Sequence, residues 1–112
     1  PMDSGSIVVV HLIEPSEKYW GLLKDLTFAG ATLRAINLDS LDDWMRSIAY
    51  EEESFGLGAA TIFFPLRRVE RMFLDEAMGQ IESLGQLFER RTGQSVMSYF
   101  APELDEESEN VH

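Results

Sequence analysis

The amino-acid sequence predicts a mainly β domain with two helices, arranged as a small five-stranded antiparallel barrel. Five short runs of apolar or alternating residues, separated by turns rich in Gly and Pro, predict the strands. Two stretches with apolar residues at helical spacing predict a helix inserted after the third strand and a helix at the C-terminal end. The chain has 112 residues, the size of one domain. Closure into a barrel would leave so short a sheet without open edges.

The first three strands are predicted in the N-terminal third of the chain. The stretch Ile7 to Ile13 is β-branched and almost entirely apolar, which is typical of a strand buried on both faces. After a turn at Pro15, the residues from Lys18 to Phe28 alternate in character, so one face of this strand is expected to point to a core. Ala29-Gly30 predicts a tight turn into a third strand, Ala31 to Leu38.

A helix and a fourth strand are predicted next. Ser40 is a candidate N-cap, with Asp43 three residues later to complete the capping pattern. The apolar stripe of this helix consists of Leu41, Trp44, Met45 and Ile48. A loop containing glutamates and glycines then leads to a strand from Ala59 to Phe64, which Pro65 ends.

The stretch from Leu66 to Leu74 fits either a fifth strand or a helix. The strand is favoured because residues 75–79 then form a natural break in the chain. The helical alternative gives a different architecture, an open α+β sandwich in which residues 66–93 are mostly helical. The last helix has clearer signals, since Ser83 and Gln86 form a capping-box pattern and Gly93 is a typical C-terminal stop.

The acidic residues are concentrated at the C-terminal end. The formal net charge is −11, and five of the 20 acidic residues lie in the last ten positions, which leaves 15 acidic against nine basic residues elsewhere. The sequence therefore predicts three regions: a tag remnant and flexible N-terminus over 1–6, a single small-barrel domain over 7–100, and an acidic disordered tail over 101–112.

Composition also limits the expected partners and the compartment. So acidic a chain repels polyphosphate and anionic membranes at long range, so neither DNA nor a membrane is an expected partner. Cysteine is absent, and no apolar stretch reaches the length of a membrane span or of a signal peptide. A cytoplasmic location is the expectation.

The stretch from Ile7 to Leu74 resembles the Sm-like (LSm) small barrels, a type close to SH3-like barrels. The resemblance consists of an apolar first strand, Trp20-Gly21-x-Leu23 opening a long second strand, and the passage Phe64-Pro65-Leu66 between the last two strands. It implies oligomerisation through edge strands and binding of single-stranded RNA. Two motifs of the family differ here: the turn from Phe28 to Ala31 lacks the usual Asp and Asn, and an Arg-Arg pair stands near the place of Arg-Gly.

Arginines provide the one concentrated group of positive charge. Arg67, Arg68 and Arg71 lie within five residues, and Arg34 is a candidate neighbour on the third strand. Guanidinium groups match phosphate geometry, so these residues are candidates for an anion clamp. The other interpretation is that they pair with nearby carboxylates or with the acidic tail.

Residues for catalysis or metal binding are not found. His11 lies in an apolar strand, and the other histidine, His112, is in the tail, so no cluster has metal-ligand spacing. An acid–base trio of Asp42, Glu52 and His11 lacks the geometric logic of an active site. We therefore expect no catalytic residues, no metal, no cofactor and no enzyme activity.

The prediction is a non-catalytic small barrel that associates with itself and serves as an interaction module. Two strands that are apolar on both faces exceed what one small domain can cover, so a second copy is the expected partner. The candidate interface residues are Val8, Val10, Ile62 and Phe64. The alternative is an Sm-like binder of single-stranded RNA or of a small phosphorylated ligand through the arginines.

Overall fold

A computed structural model describes residues 2–52 and 56–102 of the chain. Pro1 of the predicted tag remnant, the predicted loop residue Glu53 and residues 103–112 of the predicted tail lie outside the described residues. Ala101, which the sequence assigns to the tail, is buried against the helices. At the other end, Gly5 and Ser6 extend the sheet, since the amide of Leu23 donates to the carbonyl of Ser6 at 2.8 Å.

Five antiparallel strands form one sheet in the order β4-β3-β2-β1-β5. They are β1 (Ile7–Leu12), β2 (Glu17–Leu26), β3 (Gly30–Asn37), β4 (Ala60–Pro65) and β5 (Val69–Leu74). Helix α1 (Leu41–Ala49) follows β3, and α2 (Leu84–Thr92) and the single turn α3 (Met97–Phe100) follow β5. The prediction of a mainly β fold with five antiparallel strands and two main helices is confirmed.

The ambiguous stretch after Pro65 is a short turn followed by a strand. Residues Leu66–Arg68 form one 3-10 turn, and β5 then runs beside β1. The alternative in which residues 66–93 are mostly helical is therefore wrong, because only 84–92 form an α-helix in that range. The physical reason is the anchoring of the 3-10 turn to the end of β1, where the amide of Ile13 donates to the carbonyl of Arg68 at 2.8 Å and directs the chain back into the sheet.

Each face of the sheet carries its own apolar core. The helix-side core packs α1, α2 and α3 onto the sheet through four aromatic residues: Trp20, Trp44, Phe88 and Phe100. The opposite face holds a second cluster, the inner core, whose buried members are all strand residues: Val8, Val10, Leu12, Leu23, Ala31, Leu33, Ala35 and Phe64. Since these side chains are shielded from water without a helix among them, the sheet must curve around them. No ladder joins β4 to β5 in the part of the chain described, so closure into a barrel stays a prediction.

Two glycines permit this curvature by close approach of the backbone. A Cβ atom on Gly21 would lie 2.2 Å from the Arg34 carbonyl oxygen and 2.6 Å from the Cα of Ala35, so β2 and β3 could not meet there with any side chain present. Gly30 has φ +156° at the start of β3, and a Cβ there would lie 2.1 Å from the Phe64 carbonyl oxygen. The turn expected at Gly30 therefore depends on contact with β4 as well as on backbone freedom.

The two helix starts differ in how well the sequence predicts them. The capping box of α2 is present, with the Gln86 amide donating to Ser83 Oγ at 3.1 Å, and Gly93 ends the helix at φ 73°. Ser40 is the N-cap residue of α1, as expected, but its side chain makes no capping hydrogen bond. Asn37 caps a preceding 3-10 turn, accepting from the amide of Asp39 at 2.9 Å, and α1 continues from that turn. Across the described ranges, no helix is long and apolar enough to cross a bilayer.

Candidate functional site

Arg68 is engaged in holding the fold together. Its guanidinium donates to the carbonyl of Ile13 at 3.1 Å, to the carbonyl of Pro15 at 2.9 Å and to Glu17 Oε1 at 2.9 Å. Its side chain is 21% exposed. These bonds tie the 3-10 turn before β5 to the turn between β1 and β2, and they leave little of Arg68 for a ligand.

The other three candidate arginines do not converge on one point. Arg34 lies on β3 opposite Leu22, and Arg71 lies on β5 opposite His11. Because β2 and β1 separate these strands, about 14 Å of sheet lies between the two side chains. Arg71 bonds the exposed Glu70 at 3.1 Å, whereas Arg34 and Arg67 have no carboxylate within 4 Å among the residues described.

The candidate interface residues lie largely inside one copy of the chain. Val8 and Val10 are 0% exposed and Phe64 is 2% exposed, all in the inner core, and Ile62 is half-buried beside them. They therefore form no open surface for a second copy. The alternation of β4 explains this placement, since Ile62 and Phe64 point inward while Phe63 between them points outward.

An exposed apolar surface lies instead at the corner where β4 meets the turn between β2 and β3. We call it the aromatic corner, and its members are large apolar side chains at least half exposed: Phe28 (101%), Leu66 (52%), Leu26 (51%) and Phe63 (50%). The segments that carry these side chains meet at the corner, because the amide of Leu66 donates to the carbonyl of Ala29 at 2.9 Å and the Phe63 ring lies close to Gly30.

A second apolar surface is a groove of about 680 Å³ at the edge formed by β5. We call it the β5 groove. Its lining includes consecutive residues of β5 and the segment that follows: Met72, Phe73, Leu74, Asp75 and Glu76. Val9, Leu38 and Leu84 line it from neighbouring elements, and Met78 and Ile81, 72% and 74% exposed, lie on the turn beyond β5. Both faces of one strand thus border the same open space.

The charges of the β5 groove are separated between its ends. Cross-strand pairing aligns Lys18, His11 and Arg71 in one row over β2, β1 and β5, with side chains on the same face. Partial burial lowers the pKa of His11, as do the nearby Lys18 and Arg71 charges, while Glu70 opposes the shift. The His11 ring also contacts Phe73 edge-on at 5.2 Å between centroids. Asp75, Glu76 and Glu82 lie toward the other end.

Asp75 links the groove to the helix-side core. Its carboxylate accepts from Trp20 Nε1 at 3.1 Å, from the amide of Leu84 at 2.8 Å and from the amide of Gly85 at 2.9 Å. Favourable placement of an anion at a helix N-terminus adds to these bonds. The carboxylate therefore fixes the start of α2 against β2.

The trio considered for acid–base chemistry is not gathered together. Asp42 bonds Arg91 of α2 at 2.9 Å, while His11 contacts Phe73 on the far edge of the sheet. Within residues 2–52 and 56–102, no group of three or more His, Cys, Asp or Glu side chains could hold a metal ion.

The sequence predicts neither the aromatic corner nor the β5 groove, for a different reason in each case. Ile62 and Phe64 were assigned to a self-association interface, and strict alternation in β4 would have placed Phe63 on the opposite face from them. Met78 and Ile81 form an isolated bridge outside the strands, so no helix or strand periodicity points to them. Their one signal in the sequence is that they are large apolar residues in a turn. Comparisons with protein-family models, with curated proteins and with solved structures find no match to this chain, and the resemblance to Sm-like barrels stays a prediction.

Proposed function

We propose that the protein is a non-catalytic interaction module that associates with itself through the aromatic corner. The observation that carries this proposal is the exposure of Phe28, Phe63, Leu26 and Leu66 at one place on the surface. Large apolar side chains exposed near one another in the fold are costly to leave in water and are typical of protein interfaces. The β4 backbone beside it is an edge of the sheet, which offers further hydrogen bonds to a second copy.

The shape of the corner favours pairing of like with like. Phenylalanine rings are rigid and bury a large area at a small entropic cost, so two such corners can pack against each other in a symmetric contact. Asp25 precedes Leu26 and Arg67 follows Leu66, so one charge of each sign adjoins the corner in sequence.

Size-exclusion chromatography with light scattering, over a range of protein concentration, tests the proposal. We expect the mass of the wild-type protein to rise with concentration and that of Phe63→Ser to stay at one chain. Tyr50→Ser is the matched control, because Tyr50 is 72% exposed on the helix side of the molecule. A wild-type protein that remains a single chain at millimolar concentration would refute self-association.

We also infer that the sheet is a partly open small barrel of the Sm-like type, in which β4 and β5 approach each other without pairing and both edge strands keep free backbone groups. Support comes from the strand order, from the inner core enclosed by strands, and from the single 3-10 turn that connects the two edge strands. An experimental structure in which β4 and β5 diverge would contradict this assignment.

The alternative function is binding of single-stranded RNA or a small phosphorylated ligand through the arginines. Its support is the absence of a carboxylate near Arg34 and Arg67 in the described part of the chain. The engagement of Arg68 and the formal charge of −11 weigh against it. Fluorescence anisotropy with labelled oligouridine at low salt would favour this alternative only if binding occurs and Arg67→Ala weakens it.

A further inference from the structure

The open edge of β5 presents backbone groups as well as side chains. The amide of Asp75 donates to the carbonyl of Ile7 at 3.0 Å. Alternation in an antiparallel ladder then directs the backbone groups of Phe73 toward β1 and those of Met72 and Leu74 away from it. No strand in the described ranges pairs with that outer side, and Met72 and Leu74 also line the β5 groove.

The β5 groove includes this edge and extends over the helix-side face of β1 to Lys18 on β2. Met72 and Leu74 border it from the inner-core side and Phe73 from the helix side. An extended peptide laid along the edge would therefore place alternate side chains against both walls, as in addition of a strand to a sheet. Methionine side chains at Met72 and Met78 can adapt to different apolar partners.

We propose that the β5 groove binds an extended peptide by strand addition, and that the peptide carries apolar residues followed by an acidic residue. The acidic residue is expected at the end where Lys18 and His11 line the groove, with Arg71 next to His11 in the same row. In antiparallel addition the C-terminal part of the peptide lies beside the N-terminal part of β5, where Arg71 is located.

The length and the second charge of the peptide follow from the same geometry. From Arg71 to Glu76 the backbone advances by five residues, about 17 Å, so a peptide of six or seven residues spans the groove. A basic residue at its N-terminal end would face Asp75 and Glu76. This occupant differs from a second copy of the chain, which the proposed function assigns to the aromatic corner at the opposite edge.

The experiment uses a synthetic probe, acetyl-Lys-Val-Thr-Val-Thr-Val-Glu-amide, and the full chain carrying Phe63→Ser. Phe63→Ser is expected to prevent self-association through the aromatic corner. A parallel titration of the wild-type protein shows whether self-association at the corner changes binding of the probe to the β5 groove. Backbone amide NMR shifts locate the probe, and fluorescence anisotropy of a labelled version gives its affinity. We expect the largest shifts at Met72, Phe73 and Leu74.

Two N-methylated probes separate strand addition from simple apolar contact. One is methylated on the valine nitrogens and the other on the threonine nitrogens, and only one of these sets can face β5. We expect one probe to bind about tenfold more weakly or not at all and the other to retain its affinity. Equal retention by both probes would overturn strand addition.

Charge variants test the orientation of the peptide. Lys18→Glu is expected to weaken the unmethylated probe about fivefold, while Arg46→Glu, an exposed α1 residue outside the groove, should not change its affinity. Absence of binding at millimolar probe would overturn the proposal even if the chain self-associates. If the amide NMR shifts of β5 change with protein concentration alone and not with added probe, this edge binds a second copy of the chain. That result would also overturn the proposal of peptide binding.

Discussion

Removal of the Asp75 carboxylate is expected to destabilise the protein strongly, because three donors depend on it. Leu84 and Gly85 present unpaired amides at the first turn of α2, and loss of such a capping acceptor costs about 1 kcal/mol. Trp20 is 0% exposed, so its indole N–H would have no access to solvent. A buried donor left without a partner costs roughly 1–3 kcal/mol.

Together these effects predict that Asp75→Ala lowers the free energy of unfolding by about 2–4 kcal/mol. Asp75→Asn keeps one acceptor oxygen but loses the charge and the second oxygen, so roughly half of that loss is expected. Urea denaturation followed by the fluorescence of Trp20 and Trp44 measures both values.

A matched control separates this effect from the loss of any acidic group. Asp42 pairs with Arg91, and its side chain is 77% exposed. Asp42→Asn should therefore lower the free energy of unfolding by less than about 0.5 kcal/mol. If Asp75→Ala were as stable as Asp42→Asn, the carboxylate would not be the link between α2 and β2, and the reasoning from these three bonds would be wrong.

Three further predictions test the turn before β5, the close approach of β2 and β3, and the histidine of β1, His11. Arg68→Ala should lower stability by about 1–2 kcal/mol in urea titrations, since it leaves two carbonyls and a carboxylate without their donor, while Arg67→Ala should have little effect. Gly21→Ala is expected to prevent normal folding or cost more than about 2 kcal/mol, because the added carbon would meet the Arg34 carbonyl at 2.2 Å; a normal thermal melt would contradict the close approach. Partial burial holds the folded-state pKa of His11 below the ordinary value of a histidine, so the folded state binds this proton less readily than the unfolded state. The contribution of His11 is therefore fully present above pH 6.5 and decreases as the pH falls toward the lowered folded-state pKa. The difference in urea midpoint between wild type and His11→Gln should change over this pH window, and a constant difference would show that His11 does not titrate differently on folding.

The strands and α2 were predictable because their signals are local. Alternation and β-branching located β1 and β2 to within two residues, and Ser83 with Gly93 marked both ends of α2. Each of these signals depends on backbone propensity or on a hydrogen bond between residues close in sequence.

The features that the sequence did not reveal depend on contacts between distant segments. Asp75 is 55 residues from Trp20, and the sequence indicates it only as a partner for arginine or as part of the break between elements at residues 75–79. The β5 groove likewise arises where β1, β2, β5 and the turn beyond β5 meet, which no single window of sequence displays. The sequence places Phe64 in the self-association interface, whereas the exposed ring is that of Phe63. Composition does not show which face of β4 is buried, because turning the strand over exchanges its two faces without changing its residues.

The run of three valines in β1 has a consequence for how reliably the chain folds. Val8, Val9 and Val10 are each at most 5% exposed, so a β1 displaced by one position would still offer valine to both sides of the sheet. Hydrophobicity alone gives little protection against such mispairing. The imidazole of His11 does, because the displaced strand would carry this polar ring into the dry interior now occupied by Val10 and Leu12. A single polar residue of β1 thus disfavours a mispaired state that the most apolar segment of the chain would otherwise permit.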